Sequence, residues 1–346
     1  MRFKTAGAPH IPPRTSIALM MRQVLFALVP ATLAYVWYFG IGFLINVTIA
    51  AAIAIASEAA VLRLRRRPIR PFITDGSALL TALLLAFALP PLTPWWVTAI
   101  GTGFAIVFAK HLFGGIGFNV FNPAMAGYVL LLIAFPADLS HWLPPRSIDV
   151  DIVRPGLGAT LWYTLTGSLP GSLTIDAVSM ATPLDAVKTG LGQARTLAEI
   201  TASPIFGDFA GRGWEWINNW LAIGGLWLLY KRVIRWHIPV SMLAGLIVTA
   251  SFFYVLDPDM HASPAFHVFG GASIIGAFYI ATDPVTAATT VRGRLVYGAS
   301  IGFLTYAIRR WGGYPDGVAF AVLIMNLFVP VIDHFTRPRV YGHEGR

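Results

Sequence analysis

The sequence has 346 residues, of which 56% are hydrophobic and only 12% are charged, and its mean hydropathy is +0.67. A soluble domain of this composition would expose large apolar patches, so the composition excludes a soluble protein. The net charge of +9 does not indicate nucleic acid, since basic residues beside membrane spans account for it, and the lack of cysteine excludes disulfides, thiolate catalysis and cysteine-ligated iron–sulfur clusters.

Apolar runs long enough to cross a bilayer as helices recur along the whole chain. They do not alternate polar and apolar residues, which argues against a β-barrel. We predict an all-α polytopic membrane protein of about ten transmembrane helices. In chain order the predicted spans are 20–39, 42–63, 77–95, 96–113, 119–137, 212–231, 238–256, 264–282, 294–311 and 315–334.

The predicted spans form two membrane halves of five helices each, joined by a long polar segment. The N-terminal half covers residues 1–137 and the C-terminal half covers residues 212–346. Residues 138–211, called the polar segment below, are rich in Pro, Gly, Ser, Thr and Asp. Most of the 25 Lys and Arg residues fall on one side of the spans. The positive-inside rule therefore predicts that both termini are cytoplasmic and that the polar segment lies outside.

Short stretches of the first half match stretches of the second half. The matching positions are Gly103-Phe104 with Gly302-Phe303, Lys110-His111 with Arg309-Arg310, Gly114 with Gly313, and 88–93 with 281–286. Five spans separate the matched positions. Because five is an odd number, matched spans cross the membrane in opposite directions, so we predict two inverted repeats. Such repeats place binding sites at their interface, beside broken helices. Pro90-Pro91 and Asp283-Pro284 are predicted to end or interrupt the third and eighth helices.

Few ionisable residues lie at the predicted membrane depth. Glu58 is near the cytoplasmic end of the second span, Asp75 starts the third, Lys110 and His111 close the fourth, and Asp283 follows the eighth. An ionisable group inside a membrane indicates a function, although a position near the surface also allows simple solvation. We take Glu58, Asp75 and Asp283 as candidates for ion coupling.

The fifth span opens with Phe118-Asn119-Val120-Phe121-Asn122-Pro123. Asn122 before Pro123 fits a helix N-cap followed by proline at the first helical position. The same amides and aromatic rings also suit a flat heterocycle such as a flavin.

The eight histidines show no pair at helical spacing, and neither a glycine-rich dinucleotide loop nor a P-loop is present. We expect no metal, NAD or ATP bound by this chain, and we assign no catalytic side chain.

The polar segment contains Asp176-Ala177-Val178-Ser179-Met180-Ala181-Thr182-Pro183-Leu184-Asp185. Thr182 fits a helix N-cap, with Pro183 in the first helical position and Asp185 in the third. A helix N-terminus also favours a bound phosphate, through its free N–H groups and its dipole. The capping role and a role as a carrier of a phosphate ester are therefore compatible.

This stretch resembles the flavinylation motif D-x-x-[ST]-x-A-T of two related families. They are the B subunit of the sodium-pumping NADH:quinone reductase and the D subunit of the Rnf electron transport complex. The resemblance covers essentially the whole chain, and the length and short N-terminal segment are closer to the Rnf family. Met180 stands where those families often have glycine.

The resemblance implies an electron-carrying membrane subunit with a urea-transporter-like fold of inverted repeats. A flavin transferase would attach FMN through its phosphate to Thr182. Asp176, Ser179 and Ala181 would complete the attachment motif.

A noncovalent riboflavin would lie near the cytoplasmic side, with Asn119 and Asn122 as our candidates for its contacts. Electron flow between ferredoxin and NAD⁺ would be coupled to transport of Na⁺ or H⁺. The partners would be the A, B, C, E and G subunits of the Rnf complex, above all the flavinylated G subunit, together with membrane lipid. The setting would be a bacterial inner membrane, with the Thr182 loop in the periplasm.

Two other functions remain open at this point. The first is the B subunit of a sodium-pumping NADH:quinone reductase, for which a longer N-terminal segment and a quinone site would be expected. The second is a urea-channel-like solute transporter, which would need neither Thr182 nor Asp176.

Overall fold

The computed structural model describes residues 16–148, 153–171 and 173–338. In these ranges the regular structure is helical, apart from isolated bridges that pair Trp142 with Met180 and Phe206 with Gly211. The two chain ends, which the sequence predicts to be cytoplasmic, lie outside the described ranges.

The first half contains six helices, one of which continues into a π-helix. They are α1 (Ile17–Phe39), α2 (Gly42–Leu64), α3 (Arg70–Ile73), α4 (Ser77–Ala88), α5 (Trp95–Phe104) continued by a π-helix (Ala105–Leu112), and α6 (Pro123–Ala134). The following short helices are α7 (Pro136–Ser140), α8 (Leu157–Thr166), α9 (Pro183–Gly192) and α10 (Leu197–Thr201). The second half contains α11 (Trp214–Tyr230), α12 (His237–Leu256), α13 (Pro264–Phe269), α14 (Ser273–Ile275) continued by a π-helix (Gly276–Ile280), α15 (Val291–Trp311) and α16 (Val318–Thr336).

Four of the described helices, α1, α2, α12 and α16, are long and apolar enough to cross a membrane. Helices α4 and α6 are also apolar but have only 12 residues each. Helix α15 has 21 residues and carries two arginines near each end. The chain is a multi-pass membrane protein, and each predicted span contains a helix or a pair of helices.

Two predicted spans differ from the structure because the chain breaks inside them. The third span ends at Ala88 rather than at residue 95, since Pro90 and Pro91 cannot continue the helix. The eighth span is split at Gly270 and Gly271 into α13 and α14, a break that the sequence analysis did not predict. Gly271 has φ +60° and an added Cβ would meet a carboxylate oxygen and a leucine methyl, so only glycine fits there.

Protein side chains satisfy the free carbonyls at the first break. The hydroxyl of Tyr35 donates to the carbonyl of Leu89 at 3.3 Å. Asn46 Nδ2 and Thr93 Oγ1 donate to the carbonyl of Pro90 at 2.8 and 2.7 Å. Because α1 and α2 supply two of these donors, the broken helix is held rigidly at this point.

The two halves meet where α1 packs against α11. At Gly224 an added Cβ would overlap the carbonyl oxygen of Ala27, so the two backbones touch. The polar segment packs on both halves through two small apolar clusters. One cluster joins Leu92 to Val178 and α8, and the other joins α9 and α10 to Phe266 of α13. The polar segment, which contains Thr182, is thereby held against both halves.

Candidate functional site

A cavity of about 350 Å³, called the Thr182 cavity below, reaches from the start of α9 to the junction of the two halves. Thr182 is partly buried and lines this cavity. It has φ −69° and ψ 158°, and its Oγ1 accepts a hydrogen bond from the backbone N–H of Asp185 at 3.3 Å. Pro183 occupies the first turn of α9, so the predicted N-cap is confirmed.

Aromatic and aliphatic side chains form most of the Thr182 cavity. The aromatic members are Tyr35, Phe87, Tyr128, Trp142, Trp214 and Tyr314. Several of these rings also pack on one another, since Tyr35 lies edge-on to Phe87 and Trp142 lies edge-on to Trp214. Such a cavity suits a flat apolar ring, and its volume falls within the range of roughly 300–1,000 Å³ that is usual for small-molecule sites.

Asn218 on α11 is the amide side chain that lines the Thr182 cavity. Its Nδ2 donates to the carbonyls of Phe269 and Gly271, at 2.6 and 3.4 Å. Its Oδ1 is buried and has no hydrogen-bond partner among the described residues. Asn218 thus carries a buried acceptor that no described residue uses.

Asp316, before α16, contributes a carboxylate to the same cavity. It accepts hydrogen bonds from the guanidinium of Arg309, at 3.1 and 3.2 Å, and from the backbone N–H of Ala272 at 2.7 Å. Arg309 also donates to the carbonyls of His267 and Gly270. This partly buried network fixes the break between α13 and α14 against the start of α16.

The attachment motif begins in a turn at 176–178 and leads through Ser179, Met180 and Ala181 to Thr182. Asp176 and Ala181 are exposed, Ser179 is partly exposed, and Val178 is fully buried. The backbone N–H of Met180 donates to the carbonyl of Trp142 at 2.7 Å, and its side chain packs against the apolar cluster of α9 and α10. A methionine at this position is thus used in packing, while Asp176 and Ser179 stay accessible.

Two charged residues of α9 are partly buried near Thr182. Burial raises the pKa of Asp185, and the nearby Lys188 opposes this effect. Burial lowers the pKa of Lys188, with a further contribution from Arg310. The ammonium of Lys188 donates to the carbonyls of Arg309, at 3.1 Å, and Gly312. It thereby places a cation at the C-terminal end of α15, where the helix dipole favours one.

A second cavity of about 120 Å³, called the Asn122 cavity, lies between α1, α4, α6 and the segment after α14. Its polar lining includes Ser77, Lys110, Asn119, Asn122 and Asp283. Three of the residues singled out in the sequence, Asn119, Asn122 and Asp283, therefore share one cavity.

Asn119 and Asp283 make local contacts, whereas Asn122 also contacts α16. Asn122 is the N-cap of α6, as predicted, because its Oδ1 accepts from the N–H of Met125 at 3.2 Å. Its backbone N–H donates to Asn326, and Asn119 Nδ2 donates to the carbonyl of Phe121. Asp283 accepts from the N–H of Val285 at 3.0 Å.

Glu58 and Asp75 are connected to the Asn122 cavity through a chain of hydrogen bonds. Lys110 donates to Glu58 Oε1 and, at 2.7 Å, to the hydroxyl of Ser77. The Ser77 hydroxyl donates to Asp75 at 2.6 Å, and His111 lies 3.1 Å from Glu58. Glu58, Lys110 and His111 are all nearly fully buried. The two carboxylates thus flank one lysine that lines the cavity.

A corresponding contact occurs in the second half. Lys110 and Arg309 are matched positions of the predicted repeat. Lys110 donates to the hydroxyl of Ser77 at 2.7 Å, and Arg309 donates to the hydroxyl of Ser273 at 2.9 Å. Each serine starts a helix that follows a break, α4 in one half and α14 in the other.

Several of these residues were not predicted from the sequence. Ser77, Asn218, Ser273 and Asp316 were not singled out, and Lys110 was noted without a role. A polar residue that interrupts an apolar run, such as Asn218 within Trp-Ile-Asn-Asn-Trp, was the available signal. Among the described residues, no group of three or more His, Asp or Glu is placed to hold a metal ion.

Comparison with known proteins identifies relatives along the whole chain. The model of the family described as NQR2, RnfD, RnfE matches residues 4–342. The D subunit of the ion-translocating oxidoreductase complex of Aliivibrio salmonicida is 52% identical over 351 residues, which cover 99% of each chain. The corresponding protein of Aeromonas salmonicida is 50% identical, over 98% of this chain and 99% of its own. That of Escherichia fergusonii is 49% identical, over 99% of each.

Proposed function

We propose, from the premise that the chain belongs to the NQR2, RnfD, RnfE family, that it carries electrons on flavins within an ion-translocating oxidoreductase complex. The chain is the D subunit of such a complex, and its relatives of about 50% identity carry that name. Within that complex we propose a covalent FMN on Thr182, a noncovalent riboflavin and a set of residues that couple to an ion.

Thr182 would hold FMN through a phosphodiester bond. The observation that carries this proposal is that one threonine, inside the attachment motif, both starts α9 and lines the Thr182 cavity. The dipole of α9 and the backbone N–H groups of Leu184 and Asp185 in its first turn would stabilise the phosphate. Exposed Asp176 and partly exposed Ser179 leave the motif open to a flavin transferase.

The residues of the Thr182 cavity fit an isoalloxazine ring. The lining is mostly aromatic and aliphatic, and Tyr35, Tyr128 and Trp214 are among its rings. When bound, the flavin would supply electron transfer at this site. The chain's own residues would exclude water from the ring, stack against it and fix its edge.

The Asn122 cavity is our candidate for the riboflavin site. Asn119 and Asn122 both line it, together with Lys110. Its volume of about 120 Å³ is below the usual range for a drug-sized ligand, so the ring would need side chains such as Met20 or Met21 to move. Leu84 lines both cavities, so the two flavin sites would lie within one side chain of each other.

Glu58, Asp75 and Asp283 are our candidates for ion coupling. Glu58 and Asp75 flank Lys110 through hydrogen bonds, and Asp283 lines the same cavity as that lysine. Because Lys110 already pairs with Glu58, an incoming Na⁺ or H⁺ at Glu58 would compete with this ammonium. Glu58 would therefore act by exchanging the Lys110 ammonium for the incoming cation, and not as a carboxylate that is unpaired beforehand.

We also propose that about ten helices form two inverted repeats in a urea-transporter-like arrangement. The matched Lys110–Ser77 and Arg309–Ser273 contacts support this, as do the breaks that precede α4 and α14. The polar segment would be periplasmic and the termini cytoplasmic, so Thr182 would face the flavinylated G subunit. A reporter fused near Thr201 should read external, and one fused near Arg66 should read internal.

The flavin assignment is tested by two matched cap variants. Thr182 and Thr196 are both N-caps in the polar segment, and Thr196 completes a capping box with Glu199. Coexpression of the wild type, Thr182→Ala and Thr196→Ala with a flavin transferase should give a fluorescent band after denaturing electrophoresis, lost only in Thr182→Ala. A wild-type band without fluorescence would overturn the proposed covalent attachment of flavin. It would favour the solute-channel hypothesis instead.

A further inference from the structure

Helix α8 of the polar segment carries its apolar side chains on its outer side. Residues four apart share one side of a helix, and three leucines of α8 have this spacing. The exposed side, called the leucine face below, consists of Leu157, Leu161, Trp162 and Leu165, which are 41–64% exposed. The opposite side is buried and carries Thr160, Tyr163 and Thr164, none of them more than 4% exposed. The threonines therefore face the protein and the leucines face away from it.

This arrangement is the reverse of that in a helix that lies on a protein in water. The buried threonine hydroxyls need no water, because Thr160 donates to the carbonyl of Gly156 at 3.0 Å and Thr164 donates to that of Thr160 at 2.9 Å. The sequence between Arg154 and Asp176 contains no charged residue. Both observations indicate that the leucine face has apolar surroundings.

Both ends of α8 contact helices of the first half at their first turns. An added Cβ at Gly42, in the first turn of α2, would lie 3.2 Å from the methyl group of Thr160. At the other end, an added Cβ at Gly167 would meet the ring of Trp96, in the first turn of α5. Helix α8 therefore joins the beginning of α2 to the beginning of α5.

The beginnings of α2 and α5 lie on the same side of the membrane. Helix α2 is long and apolar enough to cross it. The ion pair of Lys110 and Glu58 joins the far part of α2 to the π-helix that continues α5, so the two helices run in the same direction. Helix α8 has 10 residues, which span about 15 Å, against roughly 30 Å for the hydrocarbon core of a bilayer. It is therefore placed at a membrane surface and is too short to cross.

We infer that α8 lies in the membrane surface on the side of the polar segment and inserts its leucine face into the phospholipid leaflet. The partner is the boundary between the acyl chains and the head groups, where short apolar helices lie in the plane of the membrane. Trp162 stands at the rim of the leucine face, beside exposed Thr166, which suits an indole at this boundary. The inference goes beyond the proposed function and does not require flavin on Thr182.

The buried side of α8 connects this lipid contact to the attachment motif. Tyr163 belongs to one apolar cluster with Leu92 and Val178, and Val178 lies within the stretch 176–182. Val178 is fully buried in this cluster. A membrane-bound α8 therefore holds the stretch that leads to Thr182 at a fixed level relative to the bilayer.

The lipid contact is tested by photo-crosslinking in the whole complex. The amino acid p-benzoylphenylalanine replaces Leu161, Leu165 or, as a control, Ala198, which is exposed on α10 beside the charged Glu199. The complex is placed in vesicles of phosphatidylethanolamine and phosphatidylglycerol that include rhodamine-labelled phosphatidylethanolamine. Irradiation joins the benzophenone to a neighbouring C–H group, and denaturing electrophoresis shows whether the D subunit has gained the lipid label or another subunit.

We expect the lipid label on the D subunit with the probe at 161 or 165, and only background labelling with the probe at 198. A crosslink from 161 or 165 to another subunit would overturn the inference, since protein would then cover the leucine face. The absence of any adduct from both positions would also overturn it, because the face would then lie in water.

The anchoring role is tested by charged substitutions on the same face. The double variant Leu161→Glu with Leu165→Glu keeps the buried side of α8, and Ala198→Glu is its control. The backbone N–H groups of Ala177, Val178 and Met180 are hydrogen-bonded, so their exchange with D₂O reports opening of the stretch. We expect this exchange to become about tenfold faster in the double variant only, because glutamates leave the apolar leaflet.

Unchanged exchange in the double variant would overturn the anchoring role. An equal increase in Ala198→Glu would overturn it as well, since added charge alone would then loosen the segment. In-gel flavin fluorescence keeps the two proposals apart. A wild type without covalent flavin would overturn the proposed function, while the lipid crosslinks at 161 and 165 would still decide the place of α8.

Discussion

The ammonium of Lys110 and the carboxylate of Glu58 form an ion pair in which both side chains are almost fully buried. The pair joins the end of α2 to the π-helix that follows α5, and Ser77 links the same ammonium to the start of α4. The Lys110 ammonium therefore connects α2, the π-helix and α4. A buried pair of this kind is costly to break from one side, because the remaining charge is left without its partner.

Removal of Lys110 alone should destabilise the protein strongly. We expect Lys110→Met to lower the free energy of unfolding by about 3–5 kcal/mol, while Lys110→Met combined with Glu58→Gln loses less than the two single variants together. Thermal unfolding in detergent measures this. Exposed Arg63 provides the control, since Arg63→Met should change stability little. Additive losses in the double variant would show that the two groups do not interact.

The contact between α1 and α11 should respond to a single methyl group. Alanine normally favours a helix over glycine by about 1 kcal/mol, but a Cβ at Gly224 would meet the carbonyl oxygen of Ala27. We expect Gly224→Ala to destabilise the protein by about 1–3 kcal/mol. Gly103→Ala, where nothing lies within 4 Å of the added Cβ, should be neutral or stabilising. Unfolding midpoints compare the two, and equal shifts would contradict the close packing.

Lys188 should hold the Thr182-bearing helix against the second half. It donates from α9 to two carbonyls at the end of α15. In Lys188→Met we expect faster amide hydrogen exchange over 183–192, while attachment of flavin to Thr182 is retained. Arg195 is the control, because it donates to a carbonyl within the polar segment itself. If Arg195→Met loosened α9 as much as Lys188→Met, the contact with α15 would not be the cause.

The loop between α12 and α13 should be sensitive to acid through His261. Its Nδ1 lies 2.8 Å from the hydroxyl of Tyr306, and its surroundings include Arg310, Asp257 and His267. Burial, and then Arg310, lower the pKa of His261, while Asp257 opposes the shift. The fold therefore prefers the neutral ring.

A lowered pKa in the folded state gives stability that is present above the unfolded pKa of about 6.5 and is lost as the pH falls through the folded value. We expect the unfolding temperature of the wild type to drop more than that of His261→Gln between pH 7 and pH 5. Parallel curves for the two proteins would mean that His261 does not titrate in this range.

Part of the site could be predicted from the sequence because its signals are local. The caps at Asn122 and Thr182 each depend on one polar side chain followed by proline, and both were confirmed. The end of the third span before Pro90 was equally local. The break at Gly270-Gly271 was missed, because glycine alone does not end a helix and the crowding by Asp316 comes from a distant segment.

The sequence by itself determined that this chain crosses a membrane in several helices, that it belongs to one family, and which threonine starts α9. These properties follow from hydropathy, spacing and short motifs, all of which act between neighbouring residues. The tertiary structure alone decided that Thr182 and Asn218 line one cavity, and that Glu58 pairs with Lys110. Those relationships join residues far apart in the chain, and burial, packing and hydrogen bonding between segments set them.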